Sequence, residues 1–379
     1  MRIVVLNHEF PPIGGGGGRA AESICKALAQ RGHEICVLTS HLKGYAYNEQ
    51  RDGYQIIRIP CLRTQPFRAS FLSMVVYVLA GLWAGLRLVR VFQPDVIHVH
   101  FAVPAGALAW MLSKITHVPY VLTAHLGDVP GGVPEKTSDW FRWVFPITRW
   151  IWRDARARVA VSEYTRMLAL KHYDEEILVI PNGIEVNLAK PSSIQVNDPP
   201  AIVFAGRFME QKSPLQIIQT LKMLKNIAWR CVMIGDGPLM SNVKKSIADL
   251  GMEDRFTLTG WIAPEQVMRQ FDNGDILFMP SRSEGLPVVG VQALAKGLAI
   301  VASRVGGFVD LVDEGQNGHL IESGDITGFK TALHDLLENH ERLLSLRRAS
   351  LEKVKSFEIS EIAGRYEKIF DEVLKKGSN

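Results

Sequence analysis

A cationic pair, Arg207 and Lys212, stands in the stretch FAGRFMEQKSPLQ, directly after a predicted buried strand and ahead of a predicted helix. The planar fork of an arginine and the point charge of a lysine both suit the oxygens of a diphosphate. The amino end of the following helix adds partial positive charge. Taken alone, the pair is equally compatible with solvated loop charges, but as chemistry it predicts a site that neutralises a diphosphate.

The segment MPSRSEGLPVVGVQALAKG (279–297) places an acidic residue, Glu284, between a predicted strand and a predicted helix. A carboxylate there can accept hydrogen bonds from sugar hydroxyls, and backbone N–H groups at the helix start can meet an anion. The alternative is an ordinary acidic residue at a helix amino end. Gln292 lies eight residues further on, two helical turns along and on the same side.

Five consecutive glycines follow the first predicted strand, in NHEFPPIGGGGGRAAE. A glycine-rich turn between a strand and a helix commonly cradles phosphate, and Gly15, Gly17 and Ala20 satisfy the dinucleotide pattern G-x-G-x-x-A. Two features disfavour a dinucleotide. The second strand ends in Thr39 and Ser40 rather than in an acidic residue that would hold a ribose, and two prolines lengthen the loop. A merely flexible loop remains an alternative.

Histidines end two further predicted strands. His125 closes PYVLTAH, with Asp128 just behind it, and is well placed to face a ligand, although a hydrogen-bonded core histidine is the competing interpretation. His98 and His100 share one face of the strand IHVH, a spacing that a metal site could use. No cluster of Asp, Glu or Cys completes such a site, so we predict no metal.

The elements around these residues predict two Rossmann-like domains facing across a cleft. Short strands that are apolar on both faces alternate with helical patterns, which indicates parallel sheets covered on both sides. We assign residues 1–184 to the first domain, 185–200 to a linker and 201–355 to the second domain. A final amphipathic helix, 356–379, is expected to cross back to the first domain. Because ligands bind beyond the carboxyl ends of parallel strands, one site is expected between the domains.

Two apolar segments are candidates for contact with a membrane. FLSMVVYVLAGLWAGL (71–86) is 16 residues without a charge, slightly short for a bilayer span, and we interpret it as a buried crossover helix. WFRWVFPITRWIWRDARAR (140–158) interleaves tryptophan and arginine, which suits a membrane interface. A helix that packs its aromatic residues inward is the alternative. Peripheral contact with a membrane therefore stays open.

Composition sets the class of protein. The 379 residues are 47% hydrophobic and 22% charged, as in soluble globular proteins, and the N-terminus lacks a signal-peptide pattern. Four cysteines without a CxxC pair predict neither a zinc site nor disulfides and favour a reducing cytoplasm. Residues 1–190 carry 21 Lys and Arg against 15 Asp and Glu, whereas 191–379 carry 22 against 24. The basic runs typical of nucleic-acid binders are absent.

In combination, these motifs resemble the retaining, GT-B-fold glycosyltransferases of family 4 over nearly the whole chain. The resemblance includes PPIGGGGGRAA, PDVIHVH, VLTAHLGD, VAVSEYTR, VIPNGIE, FAGRFMEQKSP, MIGDGP, TLTGW and SRSEGLPVVGVQALAKGLAIVASRVGG. Each motif is weak alone, and their order and spacing make the set specific. The family implies a nucleotide-sugar donor held mainly by the second domain, an acceptor held mainly by the first, and no required metal or other cofactor.

The resemblance also implies roles for individual residues. Arg207 and Lys212 match the pair that balances the leaving diphosphate, and His125 matches the histidine near the transferred sugar. Glu284 matches the first glutamate of the E-x7-E signature, which contacts the sugar hydroxyls. Gln292 departs from the pattern, because the family has there a second glutamate that grips both ribose hydroxyls. The remaining donor-binding positions implied are Gly15, Gly16, Asp128, Gly260, Trp261, Gly285, Leu286, Pro287 and Val288.

The function implied is transfer of a hexose-type sugar from a nucleotide diphosphate sugar, UDP-linked rather than GDP-linked by preference, to an acceptor hydroxyl with retention. The acceptor would be a saccharide or a lipid-linked saccharide in the synthesis of cell-surface polysaccharide or glycolipid. A sugar-phosphate or glycogen-type synthase of the same fold is the nearest alternative. An NAD-dependent oxidoreductase and a non-catalytic sugar-binding protein are more distant ones.

Overall fold

The computed structural model describes residues 1–66, 69–132, 141–191 and 193–376, without the side chains of 141–143 and 188. The chain forms two compact units. The first comprises Met1–Gly183 together with the C-terminal segment from Ile359, and the second comprises Ile184–Glu358. Both are α/β units with a mainly parallel sheet, as the alternating sequence pattern predicts.

Each unit has one sheet. The first has eight strands in the order β3-β4-β2-β1-β5-β6-β7-β8, all in parallel pairs except the antiparallel β3 and β4. The second has six parallel strands in the order β11-β10-β9-β12-β13-β14. The strands are β1 Arg2–Leu6, β2 Glu34–Leu42, β3 Asn48–Arg51, β4 Tyr54–Arg63, β5 Val96–His100, β6 Tyr120–Ala124, β7 Ala157–Ala160, β8 Leu178–Val179, β9 Ala201–Ala205, β10 Arg230–Ile234, β11 Phe256–Gly260, β12 Ile276–Met279, β13 Ala299–Ser303 and β14 Gly318–Ile321.

The α-helices of the described chain connect and cover these strands. They are α1 Gly16–Gln30, α2 Phe71–Phe92, α3 Ala107–Thr116, α4 Phe141–Asp154, α5 Glu163–Leu170, α6 Val186–Ala189, α7 Pro214–Lys222, α8 Met240–Asp249, α9 Pro264–Asp272, α10 Val288–Ala295, α11 Phe308–Leu311, α12 Ile326–Glu338, α13 His340–Lys353 and α14 Ile359–Lys375.

The first sheet is buried on both faces because its central strands consist mainly of apolar residues. Residues of β5 and β6 are all buried, which explains why these strands read as continuous apolar runs rather than as alternating ones. Helices α2, α3 and α4 contribute to the core on one face, where Trp152 stacks on Tyr173 with ring centroids 4.4 Å apart. Helices α1 and α14 contribute to the core on the other face.

The C-terminal helix α14 belongs to the first unit, so the predicted return of the chain is confirmed. Its apolar residues are buried against α1 and the sheet, and the ring of Tyr366 contacts that of His98 at a centroid distance of 4.8 Å. On its polar side, Glu367 pairs with Arg31 at 2.5 Å. The residues that form the buried stripe are Ile359, Ile362, Tyr366, Ile369 and Phe370.

The segment 185–200, predicted as a linker, lies within the second unit. Part of it is fixed by Asp275, whose buried carboxylate accepts hydrogen bonds from the Asn197 side chain at 2.9 Å and from the Ala201 amide at 2.8 Å. The same carboxylate pairs with the buried Arg347. Burial of these charges is offset because each is paired and hydrogen-bonded.

The interpretation of 71–86 as a buried helix was wrong in one respect. The segment is the crossover helix between β4 and β5, but α2 extends to Phe92 and only a few of its residues are fully buried. It is long and apolar enough to cross a membrane by length and composition alone. Only one side packs inward, through Ser73, Tyr77, Gly81 and Gly85. A helix lying on a sheet needs one apolar stripe, and α2 carries apolar residues all round.

Candidate active site

The second sheet reverses its strand order between β9 and β12, so two loops diverge from the carboxyl ends of neighbouring strands there. Ligands of open parallel sheets bind at such a switch point. The loop after β9 carries Arg207 and Lys212, and the loop after β12 carries Glu284. The predicted anion-binding pair and the predicted sugar-binding carboxylate therefore lie on the two loops that flank the switch point.

Lys212 and Glu284 contact each other directly. The Lys212 ammonium nitrogen lies 2.5 Å from Oε1 and 2.7 Å from Oε2 of Glu284. The Glu284 side chain is only 5% exposed, so the carboxylate is largely withdrawn from water. A lysine ammonium has three donors, and this one uses two of them on the carboxylate. The third donor remains for an arriving anion.

Backbone and side-chain hydrogen bonds fix these two loops together. The Gln211 side-chain amide donates to the Ser283 carbonyl at 3.0 Å, and the Arg282 amide donates to the Gln211 carbonyl at 2.8 Å. The position of Lys212 relative to Glu284 is thus set by their immediate neighbours in the chain. Such preorganisation is what a charge-stabilising site requires.

Two glycines after β13 pack against the backbone of the Glu284 loop. Gly306 adopts a φ of +56°, and a Cβ there would lie 1.7 Å from the Glu284 carbonyl oxygen. The Gly307 amide donates to the Gly285 carbonyl at 2.5 Å. Only glycine permits this close approach in this backbone conformation. The sequence motif SRVGG contains these residues, but its spacing alone does not show which loop they touch.

The helix that follows Glu284 begins at Val288, with Pro287 at its N-cap. Leu286 is buried beside it. Gln292 is half-buried on this helix, and none of the described residues hydrogen bonds to its side-chain amide. The predicted ribose-binding position is thus partly open to solvent, on the helix whose amino end adjoins the Glu284 loop.

The neighbouring strand ends carry the other predicted donor-binding residues. Gly235 follows β10 and has a φ of +124°. It lies so close to the loop after β9 that a Cβ on it would be 2.1 Å from the Gly206 carbonyl oxygen. Its amide donates to the carbonyl of Gly260 at 3.0 Å, and Trp261 follows with a half-exposed side chain. Arg207 is half-buried and makes no ion pair within the described part of the chain. It remains available to an anionic ligand.

The first sheet has its own switch point between β1 and β5, and the glycine loop follows β1 there. Helix α1 starts directly after this loop, with Gly15 at its N-cap, no acidic residue in its first turn, and Gly15 and Gly16 exposed. Gly14 and Gly18 allow the loop to pack on Glu9, since a Cβ at Gly18 would lie 2.0 Å from the Glu9 carbonyl oxygen. The open helix amino end is suited to an anion.

His125 lies against this helix start. A Cβ at Gly17 would be 2.5 Å from Cζ of Phe101 and 3.3 Å from Nδ1 of His125. The rings of Phe101 and His125 stack with centroids 4.4 Å apart. Phe101 has φ +73° and ψ +127°, a strained backbone for a bulky residue and a frequent mark of functional sites. No sequence signal points to Phe101, since its strain comes from the turn that ends β5.

The hydrogen bond between His100 and His125 determines which ring nitrogen of His125 carries the proton. Nδ1 of His100 lies 3.3 Å from Nε2 of His125, while Nε2 of His100 is buried and unpaired. Burial lowers the pKa of His125 to about 4, so the ring is neutral at pH 7. A buried donor without a partner costs more than a buried acceptor without one. We therefore assign the proton to His100 Nδ1, which leaves His125 Nδ1–H as a donor beside Gly17.

Asp128 positions the histidine loop. Its carboxylate accepts hydrogen bonds from the His125 amide at 2.8 Å and from the Ala102 amide at 2.5 Å. Burial raises the pKa of this carboxyl to about 7, against the lowering effect of the backbone amides. His98, by contrast, hydrogen bonds to Thr123 at 2.9 Å inside the core. Within the described ranges, no three His, Cys, Asp or Glu side chains form a group suited to a metal ion.

Two α/β units with parallel sheets, the first completed by the C-terminal helix, define the GT-B class of glycosyltransferases. Sucrose-phosphate synthase from Thermosynechococcus elongatus matches this fold with a TM-score of 0.88 at 19% identity, covering 99% of both chains. The Anabaena protein HepE, solved in complex with UDP-glucose, matches with a TM-score of 0.77 at 20% identity, covering 99% of this chain and 100% of that one.

The amino-acid sequence places the chain within this class. Residues 14–188 match the family model described as Glycosyltransferase Family 4, and residues 187–353 match the one described as Glycosyl transferases group 1. N-acetyl-alpha-D-glucosaminyl L-malate synthase of Bacillus anthracis is 24% identical over 397 aligned residues, covering 100% of this chain and 99% of that protein. Together the two models cover residues 14–353, and both describe glycosyltransferase domains.

Proposed function

We propose that the protein transfers a hexose-type sugar from a nucleotide diphosphate sugar to an acceptor hydroxyl with retention of anomeric configuration. UDP is the preferred nucleotide and GDP the alternative, and the acceptor is a saccharide or a lipid-linked saccharide. The observation that carries the proposal is the Lys212–Glu284 pair at the switch point of the second sheet. The fold shared with HepE, which was solved with UDP-glucose, supports the choice of UDP.

In the proposed reaction, the bond between the anomeric carbon and the diphosphate oxygen breaks, and negative charge grows on the diphosphate. The acceptor oxygen bonds to the anomeric carbon, and its proton passes to the departing diphosphate. Lys212, with its third donor, and the unpaired Arg207 would stabilise that charge. Glu284 would accept a hydrogen bond from a sugar hydroxyl through the carboxylate lone pairs that Lys212 leaves available. We propose that these cationic side chains, rather than a metal ion, balance the leaving group.

The first unit would contribute hydrogen-bond donors. The amides at the amino end of α1, at Gly15 and Gly16, suit an anionic substrate group. Nδ1–H of His125 would donate to a sugar hydroxyl, and its neutral state at pH 7 keeps it a donor without adding charge. Asp128 would act as a positioning residue, because its carboxylate is occupied by backbone amides.

A thermal-shift screen of UDP-, GDP- and ADP-sugars tests the proposal. A ligand at 100 times its Kd stabilises the folded protein by about 2.7 kcal/mol, so one nucleotide class should raise Tm by several degrees. Turnover of the selected donor should persist in EDTA, and the product anomer should match the donor by NMR. Transfer to hexose phosphates would indicate the synthase alternative. Quenching of NADH fluorescence with no response to any sugar nucleotide would refute the proposal.

Gln292→Glu is expected to tighten nucleotide binding about fivefold. A carboxylate can accept from both ribose hydroxyls, whereas the glutamine has one acceptor oxygen, and charge assistance contributes on the order of 1 kcal/mol. Isothermal titration with UDP or GDP measures the change, with Gln266→Glu as the control on a neighbouring helix. Unchanged or weaker affinity would remove Gln292 from the ribose site, leaving the roles of Lys212 and Glu284 intact.

A further inference from the structure

The outer side of α2 is an exposed apolar stripe. Leu72, Val75, Leu79 and Trp83 follow each other at helical spacing on the side facing away from the sheet. Leu79 is 62% exposed and Trp83 70%. At 1.5 Å per residue the stripe is about 17 Å long. A continuous apolar stripe of this length on an otherwise soluble unit marks an interaction surface.

The opposite side of α2 is fixed in the fold, which decides how the helix can meet a partner. The Tyr77 hydroxyl donates to the Leu38 carbonyl at 3.2 Å. A Cβ at Gly81 would lie 2.6 Å from Leu108, and one at Gly85 would lie 2.7 Å from Leu112, so α2 and α3 are in close contact. Insertion of α2 across a bilayer would break these contacts with α3 and with the sheet. The helix can only lie parallel to a surface.

The apolar stripe ends in a cationic region. Arg87 and Arg90 occupy the last turns of α2, and Arg90 lies on the same side as Leu72 and Leu79. No Asp or Glu occurs anywhere in α2. The adjacent helices α3 and α4 end at the same, amino-terminal edge of the sheet, because all three helices run antiparallel to the strands that they connect.

A basic cleft lies between the ends of α3 and α4. Its acidic residue, Asp154, is neutralised by Lys114 at 3.0 Å and by Arg153 at 2.8 Å. Arg156 adds further positive charge, whereas Arg158 pairs with Glu175 at 3.4 Å. On α4, Ile147 and Trp150 are exposed as well. Apolar residues and a net positive charge thus continue from α2 across the same face of the first unit.

We propose that this face, formed by the outer sides of α2, α3 and α4, docks the protein on the surface of an anionic lipid bilayer. The apolar stripe would enter the interface, with Trp83 at headgroup depth, while the arginines pair with lipid phosphates. Charge complementarity selects this partner over a second copy of the chain, because α2 offers another α2 no acidic group to pair with its arginines. The surface belongs to the first unit, whereas the predicted donor-binding loops after β9 and β12 belong to the second.

Vesicle flotation tests the proposal directly. Full-length protein without donor is mixed with vesicles of phosphatidylcholine containing about a third phosphatidylglycerol, and with pure phosphatidylcholine vesicles, at low and high salt. We expect binding to the anionic vesicles that weakens with salt. Leu79→Ser combined with Trp83→Ser should lower the partition coefficient at least ~10-fold, as should Arg87→Gln combined with Arg90→Gln at low salt.

The matched control combines Met223→Ser and Arg348→Gln, an exposed apolar residue and an exposed arginine of the second unit, and should bind vesicles like the wild type. Circular dichroism should show native folding for all variants, because the changed side chains are exposed. Wild-type partitioning in both α2 variants would overturn the proposal. So would a wild-type dimer, seen by sedimentation, that Leu79→Ser and Trp83→Ser convert to a monomer. Nucleotide binding, measured separately, reports on the glycosyl-transfer site alone.

Discussion

Lys212→Ala and Glu284→Ala should each lower kcat for sugar transfer at least ~100-fold, comparable to the loss of one preorganised charge-stabilising donor. The lysine variant removes positive charge from the leaving diphosphate and leaves the carboxylate of Glu284, only 5% exposed, without its cation. The glutamate variant removes both the acceptor for a sugar hydroxyl and the group that holds the ammonium in place. Steady-state kinetics with the donor selected by thermal shift gives the numbers.

The double variant, Lys212→Ala with Glu284→Ala, shows whether the two side chains act together or independently. Because the two side chains bind each other at 2.5 Å and 2.7 Å, their effects should not add, and the double variant should resemble the more damaged single variant. Glu284→Gln keeps a hydroxyl acceptor and should recover part of the activity. Near-native turnover of Lys212→Ala would refute the assigned role.

The same unit contains a control for loss of a lysine–carboxylate pair. Lys296 binds Asp272 at 2.7 Å, and its side chain is 8% exposed, but the pair lies away from the carboxyl ends of the strands. Lys296→Ala should lower the free energy of unfolding and leave kcat within about twofold. An equal loss of kcat in Lys296→Ala would show that the first result reports on stability rather than on chemistry.

The sequence identifies the site residues one by one but not their contact. Strand ends can be located because short apolar runs stop at glycine or at charged residues, and this places Lys212 and Glu284 at carboxyl ends. That β9 lies beside β12 depends on the order of strands in the sheet, which alternation of strands and helices does not specify. The ion pair joins residues 72 positions apart and follows only from that order.

The exposure of α2 and the strained backbone of Phe101 could not be predicted from the sequence, and the cause differs between the two. An apolar run has the same composition whether it is buried in a core or presented to a membrane, so the pattern of 71–86 fits both. Phe101 is forced to φ +73° by the turn after β5, and nothing in a phenylalanine predicts a positive φ. Gly306 is visible as a glycine, but its contact with the Glu284 loop is long-range.

The first unit is expected to be acid-sensitive because its core holds four buried histidines. Burial lowers the pKa of His8 and His125 to about 4, that of His98 to about 3, and that of His100 well below the ordinary value of 6.5. In the unfolded chain all four titrate near 6.5. The unfolded state therefore binds more protons below that pH. The stability from neutral burial is complete above pH 6.5 and is lost as pH falls toward 4.

The size of the effect follows from linkage. Between pH 7 and pH 5.5, each histidine should cost on the order of 1 kcal/mol of unfolding free energy, or roughly 4 to 5 kcal/mol for the four. Asp128 acts in the opposite direction. Its pKa is raised to about 7, so the folded state takes up its proton as pH falls and recovers roughly 1 to 2 kcal/mol. A net loss of about 3 kcal/mol remains, which is a large share of the stability of an ordinary domain.

Urea unfolding at pH 7 and pH 5.5, followed by hydrogen exchange with mass spectrometry, measures this loss unit by unit. Peptides from 1–183 should lose protection at pH 5.5, whereas those from 184–358 should not, since no histidine is buried in the described part of the second unit. His98→Gln, which keeps a hydrogen bond to Thr123 and lies in the core rather than beside Gly17, should remove about a quarter of the histidine contribution. Equal unfolding free energies at the two pH values would mean that the four rings take up protons in the folded protein as readily as in the unfolded chain. His125 would then become charged between pH 7 and pH 5.5, and its assignment as a neutral donor over that range would fail with the stability prediction.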